Sequence, residues 1–356
     1  MAERPDVLRG IAAKLAAAAG GPRTYMEVCG THTMAISRFG LRDLVPPDMR
    51  LVSGPGCPVC VTAMGDLDLV VALARLPDVS LATFGDLVRV PSSTTSLAEE
   101  RAAGADVRVL YSAADAVELA AGDARRQVVF VGIGFETTAP TVAVALLEAC
   151  ARDLANFTVL SLHKTMPMAL RALLASGDVR LDGFILPGHV SVVTGTAMYE
   201  FLVGEFGVGG VVAGFEAGDV LAALLMLARQ SSPAIEIQYR RAVHVEGNPR
   251  AMAVIEQVFE PCDADWRGLG VIPGSGLRLR DEFAAFDAAR RFDVDPGETR
   301  EPAGCRCGDV LRGVLDPPQC PLFGRRCTPE TPVGACMVSS EGSCAAHYRY
   351  QAIADD

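Results

Sequence analysis

The 356-residue sequence predicts an α/β fold followed by a loop-rich, cysteine-dense C-terminal part. From about residue 50 to 240, apolar β-rich runs alternate with Ala/Leu-rich helical patterns. Continuous apolar strands separated by helices imply parallel sheets covered on both faces. Beyond about residue 245 that alternation stops, and six of the eleven cysteines fall between 305 and 344.

Taken in order, Leu8, Ile11 and Leu15 recur at helical spacing, so an amphipathic surface helix ends at Gly20-Gly21. Glu3, Asp6, Arg9 and Lys14 interrupt any secretory apolar core there, and the chain reads as cytoplasmic. Strands are expected at 49–54, 79–85, 106–112, 127–134, 157–163, 183–189 and 210–215. Helices are expected at 66–76, 139–154 and 219–230. Gly134-Phe135-Glu136 and Gly214-Phe215-Glu216 echo each other, each ending a strand before a helix. In such sheets ligands gather where strand C-termini meet loops. The bland alternative is that glycine makes the turn and Glu136 or Glu216 caps the next helix. The segment 266–283 is punctuated by Gly and Pro, and 296–344 has little apolar periodicity to bury, so something other than a hydrophobic core is expected to hold it.

Composition excludes several classes. Net charge is −11, with one Trp and 6% aromatic residues, which argues against a nucleic-acid groove. No apolar run approaches the roughly 20 residues that span a bilayer, despite 50% hydrophobic residues. The chain has no GxxxxGK[ST] phosphate loop, no GxSxG elbow and no HExxH helix, and Gly132-Ile133-Gly134 lacks a third glycine.

The cysteines carry the chemistry. In a cytoplasmic chain they point to metal or catalytic use rather than to disulfide scaffolding. Cys305, Cys307, Cys320, Cys327, Cys336 and Cys344 lack the paired Cys-x2-Cys knuckles usual for zinc. Single thiolates from separate loops suit an iron–sulfur cube, with zinc and plain reduced thiols as the alternatives. Cys320 and Cys327 are the firmest ligands. Cys305 and Cys307 can hardly both ligate one cluster and compete for one position. Cys344 or Cys336 closes the set.

The early group differs. Cys29-Gly30-Thr31-His32 and Cys57-Pro58-Val59-Cys60 could together make a zinc set, but both follow strand ends in a domain that needs no metal to fold. Cys57 or Cys60 in a Gly-rich turn before a helix would have a stabilised thiolate, and the pair is spaced to close a disulfide. Redox or soft-metal chemistry is the better reading. Three of the five histidines, His32, His163 and His189, lie at such strand ends. Cys150 and Cys262 read as inert.

At this point MEVCGTHTMAI (26–36), SGPGCPVCVT (53–62), TFGDLVRVPSS (83–93), GFETTAP (134–140), PGHVS (187–191), VVAGFE (211–216), WRGLG (266–270) and CMVSSEGSCAAHYRY (336–350) resemble, in order, the HypD family of NiFe-hydrogenase maturation proteins. The resemblance implies two similar α/β domains, at 1–125 and 126–244, and a 4Fe-4S domain at 245–356. It implies a redox-active scaffold for assembling an Fe(CN)2CO unit, working with a HypC-type iron chaperone and a HypE-type cyanide donor. It implies Cys29 as iron-contacting thiol, Cys57 and Cys60 as redox dithiol, and His189 as a site-lining residue beside His32. Its Cys-x14-Cys-x6-Cys-x16-Cys pattern selects Cys305, Cys320, Cys327 and Cys344 as cluster ligands. Glu136 and Glu216 would orient histidine or the bound complex. The alternative function is a stand-alone iron–sulfur thiol–disulfide oxidoreductase.

Overall fold

The computed structural model describes residues 5–18 and 20–350. It is α/β, with two all-parallel sheets and one antiparallel hairpin. The strands are β1 (Arg23–Glu27), β2 (Met49–Ser53), β3 (Val79–Thr83), β4 (Val107–Val109), β5 (Gln127–Gly134), β6 (Phe157–His163), β7 (Gly183–Pro187), β8 (Gly209–Ala213), β9 (Ile235–Ile237), β10 (Phe259–Trp266) and β11 (Gly270–Leu279). The five-stranded sheet has the order β2-β1-β7-β8-β9, and the four-stranded sheet β4-β3-β5-β6. The chain therefore starts one sheet, leaves to build the other completely, and returns to finish the first. The expected division at 125/126 falls between β4 and β5, inside the four-stranded sheet, so the strands do not sort along it.

The apolar runs explain the layers. Every residue of β3, β7 and β8 is buried, as strands covered on both faces require. The N-terminal helix Pro5–Ala18 packs on Ala217–Arg229 against the five-stranded sheet, with Leu15 fully buried. Among the described residues no helix is long and apolar enough to cross a membrane.

Past 245 the structure departs from a loop. Helix Pro249–Val258 packs on helix Ala139–Ala151, and the β10–β11 hairpin lies against β6. The C-terminal segment also adds Val310, Leu311, Ala335, Met337 and Ala345 to the main apolar core. Single apolar residues without a period carry this burial, which is why periodicity did not reveal it.

Candidate functional site

The five-stranded sheet explains why distant motifs meet. Its four strands β2, β1, β7 and β8 are neighbours in that order and parallel, so their C-terminal ends lie side by side. Directly after them come SGPGCPVC, CGTH, PGHVS and GFE. Sequence separations of up to about 190 residues thus collapse to adjacent loops.

Cys29 precedes helix Gly30–Arg38 and is 1% exposed. Its Sγ lies 3.8 Å from Nε2 and 4.0 Å from Nδ1 of His189, which opens the helix after β7. Burial drives the Cys29 thiol far above its ordinary pKa, more strongly than the helix amides of His32 and Thr31 pull it down. Glu27, also buried, accepts from the Cys29 amide at 3.1 Å and from the Thr33 hydroxyl at 2.5 Å. Desolvation raises Glu27 to about 7 despite these bonds.

The glycines of SGPG let two backbones touch. Gly30 N–H donates to the Gly56 carbonyl at 2.9 Å, and Gly54 N–H to that of Glu27 at 2.8 Å. A Cβ on Gly56 would sit 2.1 Å from the Cys29 nitrogen. Cys57 caps the short helix Pro58–Val61, with Pro58 in its first turn, and is disulfide-bonded to Cys60 with Cα atoms 5.2 Å apart. Both are buried. Because these two thiols are bonded to each other, the four-residue zinc set with Cys29 and His32 does not form.

His32 is buried, and its Nε2 donates to the Gly214 carbonyl at 2.9 Å, leaving Nδ1 without a partner. Desolvation lowers its pKa to about 4, so it is neutral. The Phe215 ring lies 5.0 Å from both His32 and His189.

The two echoing glutamates part company. Glu136 is buried: Oε1 accepts from Met166 N–H at 3.0 Å, Oε2 has no partner, and desolvation raises it to about 7. Tyr199 is fully buried, which pushes its phenol well above the ordinary value, and it accepts from Ser191 Oγ at 3.5 Å. Glu216 instead caps helix Ala217–Arg229 in a reciprocal box with Asp219, its side chain 64% exposed. His163 is buried behind β6 against Phe259 and Ser161, outside this group of loops.

The six C-terminal cysteines do converge. Cys305, Cys307, Cys320, Cys327, Cys336 and Cys344 line one cavity with Val310, Leu322, Phe323 and Met337. Val333 N–H donates to Cys327 Sγ at 3.3 Å, and burial pushes the Cys305 thiol up to about 12. Helix Pro58–Val61 packs on both Cys307–Leu311 and the Ala335–Met337 turn. Arg267 ties the end of that helix to the C-terminal segment: its amide donates to the Val61 carbonyl at 2.9 Å, its Nε to that of Thr62 at 3.1 Å and a terminal nitrogen to Glu301 at 3.0 Å. Glu341, from the same C-terminal segment, reaches the first loop by accepting from Thr31 Oγ1 at 2.5 Å. Among the described residues no three His, Cys, Asp or Glu side chains are gathered as for a single metal ion.

A family model described as "HypD: Hydrogenase formation hypA family" matches residues 6–351. The chain belongs to the HypD family. The hydrogenase maturation factor HypD of Rhizobium leguminosarum bv. viciae is 48% identical over 358 residues, 97% of this chain and 93% of its own. Hydrogenase expression/formation protein HupD of Azotobacter chroococcum mcd 1 is 48% identical over 354 residues, 96% and 93% of the two chains. The HypD of Escherichia coli (strain K12) is 47% identical over 350 residues, covering 97% and 93%. Sequence reasoning had not singled out Glu27, Tyr199, Phe215, Arg267 or Glu341. Glu27 and Glu341 had a signal: each is an acidic residue within three positions of a cysteine, inside a motif already quoted.

Proposed function

We propose that this HypD-family chain is a hydrogenase maturation factor: a redox-active scaffold that holds iron at Cys29 while an Fe(CN)2CO unit is assembled. The observation that carries this reading is the meeting of Cys29, His189 and the Cys57–Cys60 pair on adjacent strand ends. Iron is the cargo. A thiol buried as a neutral group loses its proton when a cation binds, so Cys29 holds iron only once the cation is there. Soft thiolate and imidazole donors suit low-spin ferrous iron carrying cyanide and CO.

The cysteine cavity fits a 4Fe-4S cluster: six thiols in an apolar shell exceed the four that a cube requires. Cys305, Cys320, Cys327 and Cys344 would hold it: they are the four that the family spacing pattern selects, and all line this cavity. When bound, such a group supplies one-electron transfer. Across helix Pro58–Val61, reducing the Cys57–Cys60 disulfide takes two electrons and two protons and yields two thiols. Burial of both sulfurs at 4% and 0% exposure favours an internal relay over turnover of external disulfides. A HypC-type chaperone and a HypE-type cyanide donor are the proposed partners, in the cytoplasm.

The test is infrared spectroscopy of protein purified anaerobically with its chaperone. Bands of iron-bound cyanide and CO are expected from the parent chain and are expected to vanish in Cys29→Ala. Bands of undiminished strength in that variant would overturn the assignment.

A further inference from the structure

We propose that Gln238 is a positioning residue for the Cys29 site: by anchoring Gly214 it holds in place the carbonyl that fixes the His32 tautomer, and it holds Phe215 between the two histidines. This rests on Cys29 as the iron-contacting thiol.

Gln238 follows β9, where its amide N–H donates to the Val212 carbonyl at 2.9 Å. Its side-chain Oε1 accepts from Gly214 N–H at 3.0 Å, and its Nε2 donates to Asp219 Oδ1 at 2.8 Å. A peptide N–H only donates and a carboxylate only accepts, so the orientation of this side-chain amide is fixed by its two partners. Asp219 stays ionised because Arg241 grips it with two nitrogens, at 2.9 and 2.5 Å. Arg241, Asp219 and Gln238 thereby form a continuous chain ending on Gly214.

The same residue acts through its next peptide group, the one it shares with Phe215. The Gly214 carbonyl can only accept, so the His32 nitrogen 2.9 Å away must carry the ring proton. The consequence is a neutral imidazole with a bare lone pair on Nδ1, buried without a partner, one helical turn after Cys29. Gly214 has no room to drift: a Cβ there would meet Asp219 Oδ2 at 2.2 Å and Tyr239 at 2.7 Å. Phe215 comes next, with ring centroids 5.0 Å from His32 and from His189, and Tyr239 braces its edge at 5.8 Å. Arg241 stacks on Tyr239 at 4.4 Å, so the network supports Phe215 from both directions. A neutral His32 and a fixed His189 are what a thiol-held iron complex needs from its surroundings.

The experiment uses the full chain labelled with 15N-histidine and read through ring 15N shifts. In the parent protein His32 is expected as the Nε2–H form; finding the proton on Nδ1 overturns the proposal without any variant. In Gln238→Leu the His32 signal is expected to become a mixture of tautomers, and Cys29 alkylation by iodoacetamide to accelerate about tenfold as the His189–Phe215 wall loosens. Gln238→Glu combined with Asp219→Asn, which keeps an acceptor for Gly214 and moves the donor to position 219, is expected to restore the Nε2–H form and most of the protection. A purely structural role would instead lower the melting temperature of both variants with the His32 tautomer and Cys29 reactivity unchanged, and that outcome rejects the proposal. The function reading fails separately: if ferrous iron binds parent and Cys29→Ala chains equally, the iron assignment is wrong whatever the tautomer.

Discussion

The two thiol regions of this molecule are built by opposite means. Around Cys29, Cys57 and Cys60, parallel strands deliver the sulfurs and close backbone contacts through Gly54 and Gly56 lock them. Around Cys305 to Cys344, only short helical pieces at Cys307–Leu311, Pro317–Gln319, Ala335–Met337 and Ser343–Tyr350 carry the chain, and the thiols themselves form the centre. The first region is folded by its sheet and needs no metal. The second has no sheet among its described residues, and its thiols sit among Val310, Leu322, Phe323 and Met337.

Breaking that contrast gives the largest effect. Cys320→Ala or Cys327→Ala is expected to abolish bound iron and sulfide and to open the exposed run 293–302 to proteolysis. Cys57→Ser combined with Cys60→Ser is expected to leave iron and sulfide at the parent level. Elemental analysis with limited proteolysis checks both, and retention of the cluster in Cys327→Ala would rule out that ligand.

The next effect tests whether the sheet side is truly close-packed. Gly56→Ala drives a methyl group to within 2.1 Å of the Cys29 nitrogen, where only backbone could give way. Overpacking of this kind costs about 1–3 kcal/mol or more. Gly204→Ala, on a helix with nothing within 4 Å of the new Cβ, is the control and is expected to stabilise by up to about 1 kcal/mol. Denaturant titration separates them; equal stabilities would mean that the two loops do not press on each other.

The same contrast governs what the sequence revealed. Long apolar strands such as β5 and β6 were legible because both faces are buried. β1 was legible only as a strand end before Cys29, without bounds, because RTYME carries Arg23 and Glu27, and Glu27 is buried with bonds from Cys29 and Thr33 that no pattern displays. β10 and β11 alternate buried with exposed positions and contain Pro261 and Pro273, so they read as punctuation rather than strands. Sheet order is a non-local property: nothing in the chain near β2 announces that its neighbours are β1 and then β7. The candidate site residues were chosen by chemistry rather than by fold. Cys29, His32 and His189 stood out by type and position, whereas Phe215 and Gln238, which arrange them, have no distinctive spacing. The GFE echo misled in one respect, since it promised Glu136 and Glu216 the same role.

That difference between the two glutamates yields the smallest and sharpest prediction. Glu136 and Glu27 are raised to about 7 from 4.5 by burial, so the native state binds their protons earlier than the unfolded chain as pH falls. His32 and His163 are lowered to about 4 and about 3 from 6.5, so there the unfolded chain binds first. Between pH 6.5 and 4.5 the unfolded state holds protons on both histidines and the native state on both glutamates. The two effects cancel, and stability contributed by these four groups is flat. Below pH 4.5 the unfolded state holds all four protons, and stability falls by up to about 2.7 kcal/mol per pH unit. Glu136→Gln removes one compensating acid. The histidines are then partly unopposed, and stability is expected to decline from pH 6.5 by about 1.4 kcal/mol per unit. Glu216→Gln, at an exposed cap, leaves the curve where it was. Urea unfolding at half-unit steps from pH 7 to 4 reads the two slopes directly, and an unchanged plateau in Glu136→Gln would show that this carboxyl does not titrate inside the fold.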